Sequence, residues 1–140
     1  MIKRIICVDD DALCLMIEEM VIKQTNIVKE IHLADNATDA LSLLKTFQLL
    51  DNNQPLQESP TLLFLDLNMP GMDGFEFLDA LEARNGNLSE KLKIVILSSS
   101  IDHNDISRSM KYKYVINFIS KPLTVNALAE VRCQLSVQHH

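Results

Sequence analysis

The sequence predicts an α/β domain: a mostly parallel sheet with helices packed on both of its faces, wound in both directions. Three observations carry the prediction. Five short runs rich in Ile, Leu and Val recur along the chain, stretches with helical spacing separate them, and the alternation is strict from the first run to the last. With 140 residues, 47% of them hydrophobic, the chain has the material for one core, and residues 1–140 are read as a single domain.

The first run, Ile5 to Val8, reads as a strand, and Ala12 to Gln24 follows with helical spacing. The second run, Val28 to Leu33, includes Lys29, Glu30 and His32, so it is expected at an edge of the sheet. Asn36 is a good N-cap type ahead of a helix over Ala37 to Leu50. The polar stretch from Leu50 to Pro60 carries two prolines and reads as an extended loop. The third run, Thr61 to Leu65, leads to a helix over Phe75 to Arg84 that Asn85-Gly86 would stop. The fourth run, Ile94 to Leu97, precedes a weaker helical stretch, Asn104 to Lys111. The fifth, Val115 to Ile119, precedes Thr124, an N-cap for the last helix over Val125 to Val137. Runs one, three, four and five are nearly continuous in apolar residues, as strands buried on both faces must be.

Charge and cysteine usage narrow the function. The formal charge is -6 and no dense Lys/Arg run occurs, which argues against nucleic-acid binding, because that needs clustered cations to displace counterions. Cys7, Cys14 and Cys133 each lie in an apolar segment with no C-x-x-C pair, and are expected to be buried small hydrophobes in a reducing cytoplasm. No apolar run approaches the ~20 residues a membrane span needs, and Met1 leads directly into a strand-like segment. His139 and His140 are assigned no function.

Strands of a parallel sheet end on one edge, and ligands bind in the crevice outside those carboxyl ends. Asp9, Asp10 and Asp11 follow the first strand, Asp66 the third, Ser98, Ser99 and Ser100 the fourth, and Ser120 and Lys121 the fifth. Packed carboxylates repel, so either one is protonated or a cation sits among them. A hard ion such as Mg2+ suits such a site, held by carboxylates, waters and a phosphate oxygen. Asp11 is read instead as a helix start. Between Asn68 and Gly74 lie two of the chain's three glycines, which indicates a tight turn beside Asp66. In the first helix Leu13, Cys14, Leu15, Met16 and Ile17 offer more apolar surface than one buried face uses, and part of it is expected to be exposed for a helical partner.

Four motifs now stand in order: VDD after the first strand, LFLDLNMPGMDG around the third, ILS after the fourth and SKP after the fifth. Together they resemble the receiver domain of response regulators across essentially the whole chain. The resemblance implies a flavodoxin-like sheet of five strands in the order 2-1-3-4-5, with five helices. It implies that Asp66 accepts a phosphoryl group, that Asp10 ligates Mg2+ directly, that Asp9 holds a metal-bound water, and that the backbone carbonyl of Asn68 completes the coordination. Ser98 and Lys121 would bind the phosphoryl group, with a cis Lys121-Pro122 bond, and Phe118 would be the aromatic that turns inward with Ser98 as the switch. The implied donor is a sensor histidine kinase or a histidine phosphotransfer protein, and the output is a downstream protein target, with no nucleic acid or membrane bound by this domain. Ser99, where the family usually has a smaller residue, and Tyr112-Lys113-Tyr114-Val115, where it often has Gly and Ala, depart from the pattern and bear on phosphoryl rate and output surface.

Other functions fit less well. A receiver fold without phosphorylation would not need the full set of site residues, all of which are present. A phosphatase with an Asp nucleophile needs a second Asp two residues on, and Asn68 cannot act as a general acid. Flavin binding is opposed by the carboxylates, which would repel the flavin phosphate. The chain is therefore expected to be no enzyme beyond its own phosphoryl transfer and dephosphorylation, and to be a stand-alone regulator.

Overall fold

The computed structural model describes residues 2–52, 60–83, 91–100 and 102–138. The elements alternate without exception: β1 (Ile2–Val8), α1 (Ala12–Thr25), β2 (Val28–Ala34), α2 (Ala37–Asn52), β3 (Thr61–Asp66), α3 (Gly74–Glu82), β4 (Leu92–Ser98), α4 (His103–Ser109), β5 (Val115–Ser120) and α5 (Val125–Gln138). The strands form one parallel sheet in the order β2-β1-β3-β4-β5, with the polar second strand at an edge as expected.

Period-two alternation divides the core. Ile6, Val8, Leu63, Leu65, Ile94 and Ile96 face α2 and α3, where Leu44, Phe47, Phe77 and Leu81 meet them. Ile5, Cys7, Leu62, Phe64, Val95 and Leu97 face the other way, toward Leu15 and Ile22 of α1 and Leu128, Val131 and Leu135 of α5. Both faces of the central strands are dry, which is why those runs read as continuous apolar segments.

Short polar side chains begin the helices. Asp11 accepts the Leu13 N–H at 2.9 Å, Asn36 that of Asp39 at 2.7 Å, and Thr124 that of Ala127 at 3.1 Å. At α3 Asp73 and Glu76 form a reciprocal capping box. Asn26 ends α1 in the left-handed region, with φ of 53°.

Several expectations need correction. β1 starts at Ile2 rather than Ile5: Arg4 is buried but bonded to Glu30 of β2 at 3.1 Å, so its charge does not interrupt the strand. Leu50 to Asn52 belong to α2 rather than to a loop, while the rest of that polar stretch, 53–59, and the Asn85-Gly86 stop lie outside the described residues. α4 stops at Ser109 because the chain tightens into three-residue bonds, Lys111 N–H to Arg108 and Tyr112 N–H to Ser109. Cys7 is buried, but Cys14 is half-buried and Cys133 exposed. Cys133 falls off the face of α5 that Leu128, Val131 and Leu135 define. Among the first-helix residues Leu13 and Met16 are exposed, joined by Met20 one turn on, whereas Leu15 is core.

Candidate functional site

The parallel register brings the ends of β1, β3, β4 and β5 to one rim, and the chemistry gathers there. Asp9 follows the last residue of β1, and its Oδ1 accepts the N–H of Asp11 at 2.9 Å, which fixes the carboxylate as the chain turns into α1. Asp66 is the last residue of β3, and its Oδ1 accepts the N–H of Asn68 at 3.1 Å. Asp10 is exposed beside them. One carboxylate oxygen each of Asp9, Asp10 and Asp66 lie within 4.8 Å of one another, a spacing that a small hard cation could bridge.

Lys121 enters from the end of β5. Its backbone N–H bonds to the Ser98 carbonyl at 2.8 Å, which ties the ends of β4 and β5 together, and the Lys121-Pro122 peptide is cis, as the resemblance implied. The ammonium donates to Asp9 Oδ2 at 2.6 Å and lies 3.5 Å from Asp66 Oδ2 and 3.8 Å from the Cys14 sulfur. The ammonium thus meets the two buried carboxylates of the acidic triad: Asp9 is 1% and Asp66 5% exposed.

Burial pushes the Asp66 carboxyl up to about 6, with the Asp9 charge adding to the rise, while the Asn68 N–H and Lys121 pull it back. Burial alone would lower the Lys121 ammonium, but the hydrogen bond to Asp9 and the charges of Asp66 and Asp9 outweigh it and hold the group above its usual range. Lys121 is therefore charged, and Asp66 is ionised at neutral pH but close to taking a proton.

The loop after Asp66 is as tight as its glycines suggested. Gly71 sits at φ +75°, a left-handed conformation that suits glycine. At Gly74 a Cβ would lie 2.6 Å from the Leu67 Cα, and the Gly74 N–H bonds to the Leu67 carbonyl at 3.0 Å. Only a residue without a side chain lets α3 begin so close behind Asp66.

Ser98 is buried at the end of β4, but its hydroxyl donates to the Ser100 carbonyl at 2.8 Å, so it turns onto its own loop rather than toward Asp66. Ser99 is exposed. Phe118 is half-buried in β5 and packs against the α2/α3 side of the core. Sequence reasoning missed Glu18. It is 4% exposed, lies on the same side of α1 as Leu15 and Ile22, and its Oε2 has no hydrogen-bond partner. The spacing 15, 18, 22 is that of a buried helical face, and it could have identified the residue.

A family profile described as the response regulator receiver domain matches residues 5–131. The two-component response regulator ARR10 of Arabidopsis thaliana is 25% identical over 128 residues, 91% of this chain and 20% of that protein. The chain thus spans about a fifth of the length of that relative. The sporulation initiation phosphotransferase F of Bacillus subtilis is 27% identical over 90 residues, covering 61% of this chain and 68% of its own. A protein-glutamate methylesterase/protein-glutamine glutaminase of Yersinia pestis is 28% identical over 120 residues, 85% of this chain but 30% of that protein. Among solved structures, a two component response regulator from Cytophaga hutchinsonii superposes with a TM-score of 0.79 at 27% identity, covering 96% of this chain and 97% of that one. The receiver domain of the histidine kinase CKI1 from Arabidopsis thaliana, complexed with Mg2+ and BeF3-, has a TM-score of 0.79 at 22% identity over 96% of this chain and 90% of its own, a likeness of fold alone. Among the described residues no helix is long and apolar enough to cross a membrane.

Proposed function

Because the chain belongs to the response regulator receiver family, whose members are the phospho-accepting modules of two-component signalling, we propose that Asp66 is its acceptor and that residues 1–140 form one receiver domain. The observation that carries the assignment is the position of Asp66: at the end of a central strand, buried, within the acidic triad and 3.5 Å from the Lys121 ammonium.

The step is a phosphoryl transfer from the phosphohistidine of a sensor histidine kinase or a histidine phosphotransfer protein. An Asp66 carboxylate oxygen forms the new O–P bond as the P–N bond breaks, and the electron pair stays on the histidine nitrogen. A carboxylate is a weak nucleophile toward an anionic donor, so positive charge must meet the transferring oxygens. Lys121 supplies one such charge. Asp9, Asp10, Asp66 and the Asn68 carbonyl are the groups that would hold Mg2+, and three carboxylates with oxygens within 4.8 Å of one another suit a divalent ion. Bound there, Mg2+ would neutralise charge on the phosphoryl oxygens. Lys121 and Ser98 then hold the aspartyl phosphate. Ser98 gives up its bond to Ser100 for one to the phosphoryl group, and Phe118 follows inward to change a surface read by a downstream protein.

The charge of -6 supports output through protein contacts rather than nucleic acid, and the domain acts in the cytoplasm on no substrate besides its own phosphoryl group. The exposed stripe of Leu13, Met16 and Met20 beside the site suits a helical partner. Treatment with acetyl phosphate and Mg2+ should add one phosphoryl group to the intact mass, and Asp66→Asn should abolish the gain. Unchanged labelling in that variant overturns the assignment.

A further inference from the structure

Glu18 is a buried acid beside the site whose Oε2 has no hydrogen-bond partner, a costly arrangement unless another state of the protein uses it. It lines a cavity of about 50 Å³ whose other walls include Lys121, Leu97 and Leu123. The apolar walls leave few partners for a carboxyl group there, and Lys121 is the cation that shares the space.

The Lys121 ammonium rests on Asp9 and approaches Asp66, two of the three carboxylates that would hold a divalent ion. A cation drawn to those oxygens repels the ammonium and competes for the same lone pairs. The displaced ammonium, still largely buried, then requires another anionic acceptor.

We propose that Glu18 is a positioning residue: it receives the Lys121 ammonium when a divalent cation takes over Asp9 and Asp66, and so keeps Lys121 in the site until a phosphoryl group arrives. The proposal rests on the cation reading given above. Burial, reinforced by the charges of Asp9 and Asp66, pushes the Glu18 carboxyl up to about 8 and keeps it protonated in the cation-free state, while Lys121 pulls it down. With a cation engaging Asp9 and Asp66 and the ammonium beside it, Glu18 loses that proton and accepts Lys121 as a carboxylate.

The test is titration of the intact protein with Mg2+ alone, followed by calorimetry and by the nitrogen resonance of the labelled Lys121 side chain. In the wild type Mg2+ should bind and the Lys121 ammonium should shift while staying protected from exchange with water. In Glu18→Gln that protection should be lost in the Mg2+ state and Mg2+ affinity should fall severalfold. In a Lys121→Met background Glu18→Gln should change Mg2+ affinity no further, because an acid that merely supports the fold would act with or without the lysine. Equal affinity and equal Lys121 protection in wild type and Glu18→Gln overturns the proposal, as does a full Glu18→Gln effect in the Lys121→Met background. Absence of Mg2+ binding in the wild type is a separate failure, that of the cation reading itself.

Discussion

The two ends of the sheet both bury charge, but they dispose of it differently. At the amino end Arg4 of β1 donates to Glu30 of β2 at 3.1 Å and lays its guanidinium 4.1 Å over the ring of Phe47 from α2, so an anion and an aromatic face both meet this cation. At the carboxyl end the Lys121 ammonium meets Asp9 and Asp66, which form an acidic triad with Asp10, and a buried acid, Glu18, stands nearby. The first arrangement is electrostatically closed and serves packing. The second is left with excess negative charge inside the fold, and such an excess persists in a protein where a ligand of opposite charge completes it.

The largest expected effect lies at the open end. The Glu18 carboxyl is pushed up to about 8 from an ordinary value of 4.5, chiefly by burial. Its folded form keeps a proton that the unfolded chain has already lost above pH 4.5, so its contribution to stability is full below that pH and is lost as pH rises through about 8. Ionising it in the folded state costs roughly 3–5 kcal/mol. Urea unfolding at pH 9 should therefore show Glu18→Leu more stable than the wild type by about that amount, with the gap narrowing toward pH 5. A constant gap across this range would mean that the acid is solvated and that the carboxyl end is less open than described.

Next in size is the pH dependence of cation binding. Asp66 takes a proton at about 6, and a proton there competes with a cation for the same carboxylate. Mg2+ affinity should fall about tenfold between pH 7 and pH 5, as one competing proton requires, and Asp10→Ala should remove most binding at either pH while leaving the fold intact. Calorimetric titration at the two pH values checks both. Affinity independent of pH would show that Asp66 is not a ligand.

The contrast between the ends also explains what was legible in the sequence. A parallel sheet fixes where each strand ends, so Asp9, Asp66, Ser98 and Lys121 could be placed on one rim from their positions after apolar runs. Lys29, Glu30 and His32 marked β2 as an edge, and Asn36 and Thr124 marked helix starts, because these signals are local. Arg4 hid the start of β1, since a charged residue in a central strand is acceptable only with partners on other elements. Glu18 shares the buried spacing of Leu15 and Ile22, so its face was legible, but its nearness to Lys121 depends on the turn after β5, which local pattern does not encode. The direction of the Ser98 hydroxyl, toward Ser100, is likewise a choice among partners that the chain order leaves open.

The smallest expected effect is at the closed end, and it is the sharpest check on the comparison. Arg4→Met removes a buried guanidinium but keeps a long, flexible stem that can still cover Phe47. The pair with Glu30 is lost, but the Glu30 side chain is 50% exposed and so is rehydrated rather than stranded. Loss of the contact to Phe47, about 0.5–2 kcal/mol, is offset by relief from burying the charge, since apolar replacements of buried ion pairs are often neutral. The net change in stability should be within about 1 kcal/mol. Arg4 precedes Asp9 by five residues of extended chain, roughly 16 Å, so phosphoryl labelling and Mg2+ affinity should not move. Calorimetry and labelling of Arg4→Met beside the wild type would test this, and a severalfold change in either would mean that the two ends of the sheet are electrostatically coupled.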